Sequence, residues 1–167
     1  EPMPNVSKRL DNTVLVKRED RQAVHSFKIR GAYNRMRNLT EGERCAGVVT
    51  ASAGNHAQGV ALSSARLAVK AKIVMPRPTP TIKVDAVRQL GGEVVLAGDS
   101  FDEAKAHALE LAENEGLTYV APFDDPMVIA GQGTIGLELI QDAADVNRIF
   151  VPVGGGGLAA GIAVLVK

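Results

Sequence analysis

Short apolar runs alternate with longer stretches of helical periodicity along the chain, and this alternation limits the fold more than any other feature. The runs at 13–16 (T-V-L-V), 47–50 (G-V-V-T), 72–75 (K-I-V-M), 93–96, 118–120 and 148–153 (R-I-F-V-P-V) read as strands. Helices are expected over 27–37, with Ser26 as N-cap, and over 55–67, 81–90, 101–115 and 126–143; another begins near Leu158. A loop or short helix starts at 39–41. Gly91-Gly92 and Gly116 stand where helix C-caps are needed. The pattern predicts an α/β fold built on a doubly wound parallel sheet. Composition agrees: 46% of residues are hydrophobic and Trp is absent, so Ala, Val, Ile and Leu supply the core, as strands buried on both faces require.

Charge and cysteine usage exclude several classes. The 19 basic and 19 acidic residues cancel, leaving no general field for nucleic acid or an acidic membrane. Cys45 stands alone and cannot form an internal disulfide, which fits a reducing compartment. Residues 149–166 carry no charge and are just long enough to span a bilayer, but Pro152 and four consecutive glycines interrupt them. A strand, a glycine loop and a buried helix start is the better reading. Residues 1–11 are polar and do not resemble a signal peptide. The expectation is a cytoplasmic protein with no membrane segment. Both ends read as cut, so a fragment of a longer protein is expected.

In open parallel sheets, ligands bind at the carboxyl ends of strands. That rule selects the loops after Thr50, Met75 and Val153. The first, T-A-S-A-G-N-H-A-Q-G at 50–59, passes from a buried strand through small residues into a helix. Open N–H groups at Ser52, Ala53 and Gly54, with the helix N-terminus behind them, suit a carboxylate or phosphate. Asn55 adds an amide for a hydroxyl or phenolate. An ordinary turn with a Ser cap explains the segment equally well. The loop V-G-G-G-G-L at 153–158 is more specific. Four glycines cost more chain entropy than a plain turn requires, and a phosphate cradled by backbone N–H groups is the usual reason. No Lys-Ser/Thr pair follows, which argues against a nucleoside triphosphate.

Other features carry less. G-Q-G-T-I-G at 131–136 has dinucleotide-fingerprint spacing but no strand immediately before it, so its glycines read as close helix packing. His25, His56 and His107 are too scattered to suggest a metal, and His56 reads as a core or capping residue. Nothing marks Cys45 as a nucleophile. Asp102, Glu103, Lys105, Glu110 and Glu113 read as a solvated helix face. Arg18, Glu19 and Asp20 are surface charge or a salt-bridged rim. Lys28, in the first turn of the helix expected over 27–37, is by itself an ordinary surface lysine. Set beside one anion loop and one phosphate loop, its amine suggests the Schiff-base chemistry of pyridoxal phosphate.

Three ordered motifs carry a resemblance that runs essentially end to end. S-F-K-I-R-G-A-Y at 26–33, T-A-S-A-G-N-H-A-Q-G at 50–59 and V-G-G-G-G-L at 153–158 resemble the serine/threonine dehydratase family. These are pyridoxal-phosphate enzymes of tryptophan-synthase-β-like fold. K-R-E-D-R-Q before the lysine is similar to the biosynthetic branch, which deaminates L-threonine to 2-oxobutanoate and ammonia for isoleucine synthesis.

The resemblance implies that Lys28 holds the cofactor 5'-phosphate ester through its aldehyde and later removes the substrate Cα proton. It implies that Asn55 bonds the ring 3' oxygen and that Gly154, Gly155, Gly156, Gly157 and Leu158 bind the phosphate. Ser52, Gly54 and His56 would surround the substrate carboxylate. It further implies a larger cofactor-binding lobe that includes 1–39 and 140–167, a smaller lobe at 40–139, and a homo-oligomer at full length. The fold would be incomplete at both ends and the piece inactive alone. Ala53 stands where related racemases carry a hydroxyl acid, which favours elimination. The competing readings are a serine dehydratase or racemase-type enzyme, and a non-catalytic anion-binding fragment.

Overall fold

The computed structural model describes residues 1–167. Four parallel strands form one sheet in the order β3-β2-β1-β4: β1 (Val48–Ala51), β2 (Ala71–Met75), β3 (Glu93–Leu96) and β4 (Thr118–Tyr119). Val48 stands opposite Ala71 in β2 and Thr118 in β4, and Lys72 opposite Glu93 in β3. Between and around the strands run α1 (Pro4–Leu10), α2 (Lys28–Arg37), α3 (Glu41–Ala46), α4 (Asn55–Leu67), α5 (Thr81–Gln89), α6 (Phe101–Glu115), α7 (Pro126–Asp142) and α8 (Gly157–Val166).

Alternating side chains cover the two faces of the sheet. Val48, Ile73 and Met75 pack with Met36, Val60 and Val87 from α2, α4 and α5. Val49, Ala51 and Val74 pack with Ala104 and Ala108 of α6 on the other face. This is the doubly wound parallel arrangement read from the sequence. The helix ends follow local chemistry. Thr40 and Glu43 form a reciprocal capping box on α3. Ser100 and Asp125 cap α6 and α7 through their side chains. Gly116 ends α6 in the left-handed conformation, and Gly91 turns with φ +92 after α5.

Four readings change. Residues 13–16 do not form a strand: Leu15 makes one antiparallel bridge to Pro2. Residues 148–153 pair with no strand, and Phe150 stands 91% exposed. A helix not anticipated, α1, begins at Pro4, a favourable first-turn proline. The lysine helix starts at Lys28 rather than Phe27; Ser26 still serves its first turn, because Lys28 N–H donates to Ser26 Oγ at 3.3 Å. No helix is long and apolar enough to cross a membrane.

Candidate active site

Lys28 is the first residue of α2, and two helix crossings fix it. The first is with α4. A Cβ at Gly59 would lie 3.2 Å from the Lys28 carbonyl oxygen and 3.3 Å from Ile29 N, so any side chain there would push the two helices apart by a few tenths of an ångström. Asn55 lies one turn before Gly59, on the same face of α4. Asn55 is exposed at the first position of α4 and is not among the residues that line the cavity beside Lys28. The second crossing is with α7. A Cβ at Gly131 would meet the Arg30 carbonyl oxygen and Gly31 Cα, both at 2.6 Å.

The lysine amine donates to the carbonyl oxygen of Pro122 and lies 5.6 Å from the centre of the Phe27 ring. Burial lowers its pKa from the usual lysine range. Loss of solvation disfavours the ammonium form, which is what a nucleophilic or basic amine requires.

A cavity of about 270 Å³ joins Lys28 to the glycine loop. Gly154, Gly155, Gly156, Gly157 and Leu158 all line it, with Pro122, Phe123 and Gln132. Two of the four glycines are dictated by Phe123. A Cβ at Gly155 would fall 2.3 Å from its ring, and one at Gly157 would fall 2.6 Å from its carbonyl oxygen. Gly156 has φ +87 and is the N-cap of α8, which no side chain caps. The first-turn N–H groups of α8 therefore stay available to an anion at the cavity floor.

The loop after β1 does not line this cavity. Ser52 turns its hydroxyl inward to accept from Gly54 N–H at 3.3 Å. A Cβ at Gly54 would meet nothing within 4 Å, and no side chain caps α4. The His56 ring points into the protein interior. It is 3% exposed, its Nε2 lies 3.1 Å from the Val120 carbonyl oxygen, and its Nδ1 has no partner. Burial, reinforced by the Lys28 charge and opposed by the Val120 hydrogen bond, pushes its pKa down to about 4. What His56 offers the loop is its backbone. The loop after β2 is remote, with Arg77 paired to Asp99 at 2.9 Å.

Of the charged run before Lys28, Arg18 and Asp20 pair on the surface, while Glu19 turns to Arg30; none of the three lines the cavity. Arg30 donates from Nε and Nη2 to Glu19 at 2.7 and 2.8 Å, and its guanidinium also bonds Glu138 and the Thr134 hydroxyl. Burial opposes its charge, but the bonds to Glu19 and Glu138 outweigh that and raise its pKa. The 3₁₀ turn Glu19–Arg21, α2 and α7 are thereby tied together.

G-Q-G-T-I-G lies inside α7, its glycines against Gly31, Gly161 and Ile162, so the close-packing reading holds. Pro122, Phe123 and Gln132 were not anticipated. Pro122 and Phe123 follow β4, so the same strand-end rule reaches them. Gln132 gave no signal beyond its place between two glycines.

The protein groups suit pyridoxal phosphate: a desolvated amine at one side of the cavity, and an uncapped helix N-terminus with glycine backbone at the other. Comparison with known proteins agrees. The family described as pyridoxal-phosphate dependent enzymes matches residues 1–167. The biosynthetic L-threonine dehydratase IlvA of Escherichia coli is 68% identical over 165 residues, covering 99% of this chain and 32% of that protein. The chain thus spans about a third of that relative. The processed threonine deaminase isoform 2 of Solanum lycopersicum superposes with a TM-score of 0.97 at 60% identity, over 99% of this chain and 46% of that one. Maize serine racemase superposes at 0.95 and 34% identity, over 100% of this chain and 51% of that one. This chain belongs to the family of pyridoxal-phosphate dependent enzymes.

Proposed function

We propose that this chain carries the lysine and phosphate loop of an enzyme that deaminates L-threonine to 2-oxobutanoate and ammonia, the step that serves isoleucine synthesis. The observation that carries the reading is that Lys28 and the tetraglycine loop line one cavity. The 68% identity to a biosynthetic threonine dehydratase supports the choice of substrate.

In this reading Gly154, Gly155, Gly156, Gly157 and Leu158 hold the phosphate through backbone N–H groups. Asn55 bonds the ring 3' oxygen. Ser52, Gly54 and the backbone of His56 receive the substrate carboxylate. When bound, the cofactor withdraws electrons from the substrate Cα and makes its proton acidic. Lys28 would take the Cα proton; burial disfavours its ammonium form and so favours the free amine that a base needs. The β-hydroxyl would leave with a proton as water, matched by the proton taken from Cα, and one water would later release ammonia, so threonine yields 2-oxobutanoate and ammonia with no net reactant besides itself. Residues 1–39 and 140–167 belong to the larger lobe, 40–139 to the smaller, and the whole enzyme works in the cytoplasm as a homo-oligomer.

Maize serine racemase among the similar structures raises racemisation as a second reading. Ala53 counts against it: its methyl packs against the core and has no proton to give. The test uses the full-length protein mixed with pyridoxal phosphate. A near-visible absorbance band that borohydride traps on Lys28, with 2-oxobutanoate formed from threonine, is expected. A band that survives Lys28→Ala refutes the assignment, and D-amino acid without 2-oxo acid would establish the racemase.

A further inference from the structure

β4 is two residues long, and the chain leaves it in a specific way. Val120 N–H still bonds the Val49 carbonyl oxygen in the sheet ladder, at 2.9 Å. The Val120 carbonyl oxygen turns instead to two side chains. Thr50 Oγ1 donates to it at 2.8 Å, and His56 Nε2 lies 3.1 Å away. A carbonyl oxygen only accepts, so Nε2 carries the His56 proton, and the two donors fill both lone pairs. Thr50, His56 and Val120 are all buried. Thr50 belongs to β1 and His56 to the first turn of α4, so Val120 is held from the sheet and from a helix at once.

Val120 begins a four-residue segment that touches both ends of the cavity. The Pro122 carbonyl oxygen accepts from the Lys28 amine. Phe123 packs against Gly155 and Gly157 of the glycine loop. Pro122 and Phe123 both line the cavity, whereas Thr50 and His56 do not. The placing of this segment therefore sets where the amine stands relative to the glycine loop. A cofactor anchored by its phosphate meets the amine only if that separation is kept.

We propose that Thr50 and His56 are positioning residues for Lys28: their shared acceptor, Val120, anchors residues 120–123, so that Pro122 holds the amine where a cofactor bound at the glycine loop presents its aldehyde. They act through Val120 and not on the reacting atoms. The inference rests on the cofactor reading above.

The rate at which full-length apoenzyme mixed with pyridoxal phosphate develops the near-visible band tests it, with kcat for threonine and thermal stability measured beside it. Thr50→Val keeps the side-chain shape and removes the hydroxyl. Thr50→Ser keeps the hydroxyl and removes a buried methyl. Band formation and kcat should fall about tenfold in Thr50→Val, the rate equivalent of one lost hydrogen bond. In Thr50→Ser both should stay near wild type, although the lost methyl lowers stability. Equal slowing in the two variants would show that the site responds to packing alone, and unchanged rates in Thr50→Val would show that Val120 needs no clamp; both outcomes overturn the proposal. If Thr50→Val does not fold, His56→Leu compared with His56→Gln, whose amide keeps a donor, is read the same way. A wild-type protein that forms no band refutes the cofactor reading itself, a result distinct from these.

Discussion

Gly131→Ala tests whether α7 sets the position of Lys28. The substitution has two opposed effects. Alanine favours a helix over glycine by about 1 kcal/mol. Against this, the new methyl carbon would stand 2.6 Å from the Arg30 carbonyl oxygen, 2.6 Å from Gly31 Cα and 2.9 Å from the Arg30 carbonyl carbon. All three are backbone atoms, so α2 and α7 must move apart, and overpacking of this kind costs about 1–3 kcal/mol. Gly42→Ala supplies the reference: Gly42 lies in α3, is exposed, and a Cβ there meets nothing within 4 Å. Subtracting the two variants cancels most of the propensity term. Gly131→Ala should therefore be less stable than Gly42→Ala by about 1–3 kcal/mol in denaturant titrations of the full-length protein. Because α2 carries Lys28 at its first turn, turnover should fall as well, while Gly42→Ala stays at wild-type activity. Equal stability of the two variants would falsify the packing argument.

Two further outcomes follow from the buried polar groups. His56 has a folded pKa of about 4 against an ordinary 6.5. The folded state binds fewer protons, so stability falls as the pH drops below about 6.5, and the full penalty, about 3 kcal/mol, is present near pH 4. In ring-labelled protein the His56 resonance should stay neutral at pH 5; titration near 6.5 would mean water reaches the ring. Arg30→Lys cannot reproduce the paired bonds to Glu19 and Glu138, and should lower stability by about 1–3 kcal/mol at neutral pH. The hydrogen bond from Arg30, then that from Lys17, holds the Glu138 pKa down to about 2 against burial. Its contribution is present above about 4.5 and is lost as the pH falls through about 2. The difference between wild type and Arg30→Lys should shrink over that interval.

The sheet was legible because each of its strands is bounded by a helix or turn with local chemistry of its own. The runs at 47–50, 72–75 and 93–96 need no information from elsewhere to be recognised. The runs at 13–16 and 148–153 are also rich in Val, Ile, Leu and Phe and are not strands here. A strand is completed by its neighbour's hydrogen bonds, and no neighbour stands beside Ile149 or Phe150. The helix at Pro4 was hidden by its polarity, since it buries no residue and so shows no apolar stripe.

The site divides along the same line. Lys28 and the glycine loop, which line one cavity, declare themselves through residue type at a helix start or strand end; Asn55, read by the same rule, does not line that cavity. Gln132 and Phe123 do not, because Gln132 meets Gly31 only where α7 crosses α2, and Phe123 meets Gly155 and Gly157 only once the chain is folded. Gln132 would read as an unremarkable buried amide but for Gly31 and Gly133 beside it. Phe123 would read as a loop aromatic but for Gly155 and Gly157 beneath it. The glycine signature itself changes meaning on this account. Part of its entropic cost answers to Phe123, since Gly155 and Gly157 admit that residue. Gly156 answers to backbone conformation. Gly154 meets nothing within 4 Å and has no steric demand from the protein. A glycine run that seemed to speak only of a ligand therefore also records how closely the loop after β4 must pack to place Pro122 against the Lys28 amine.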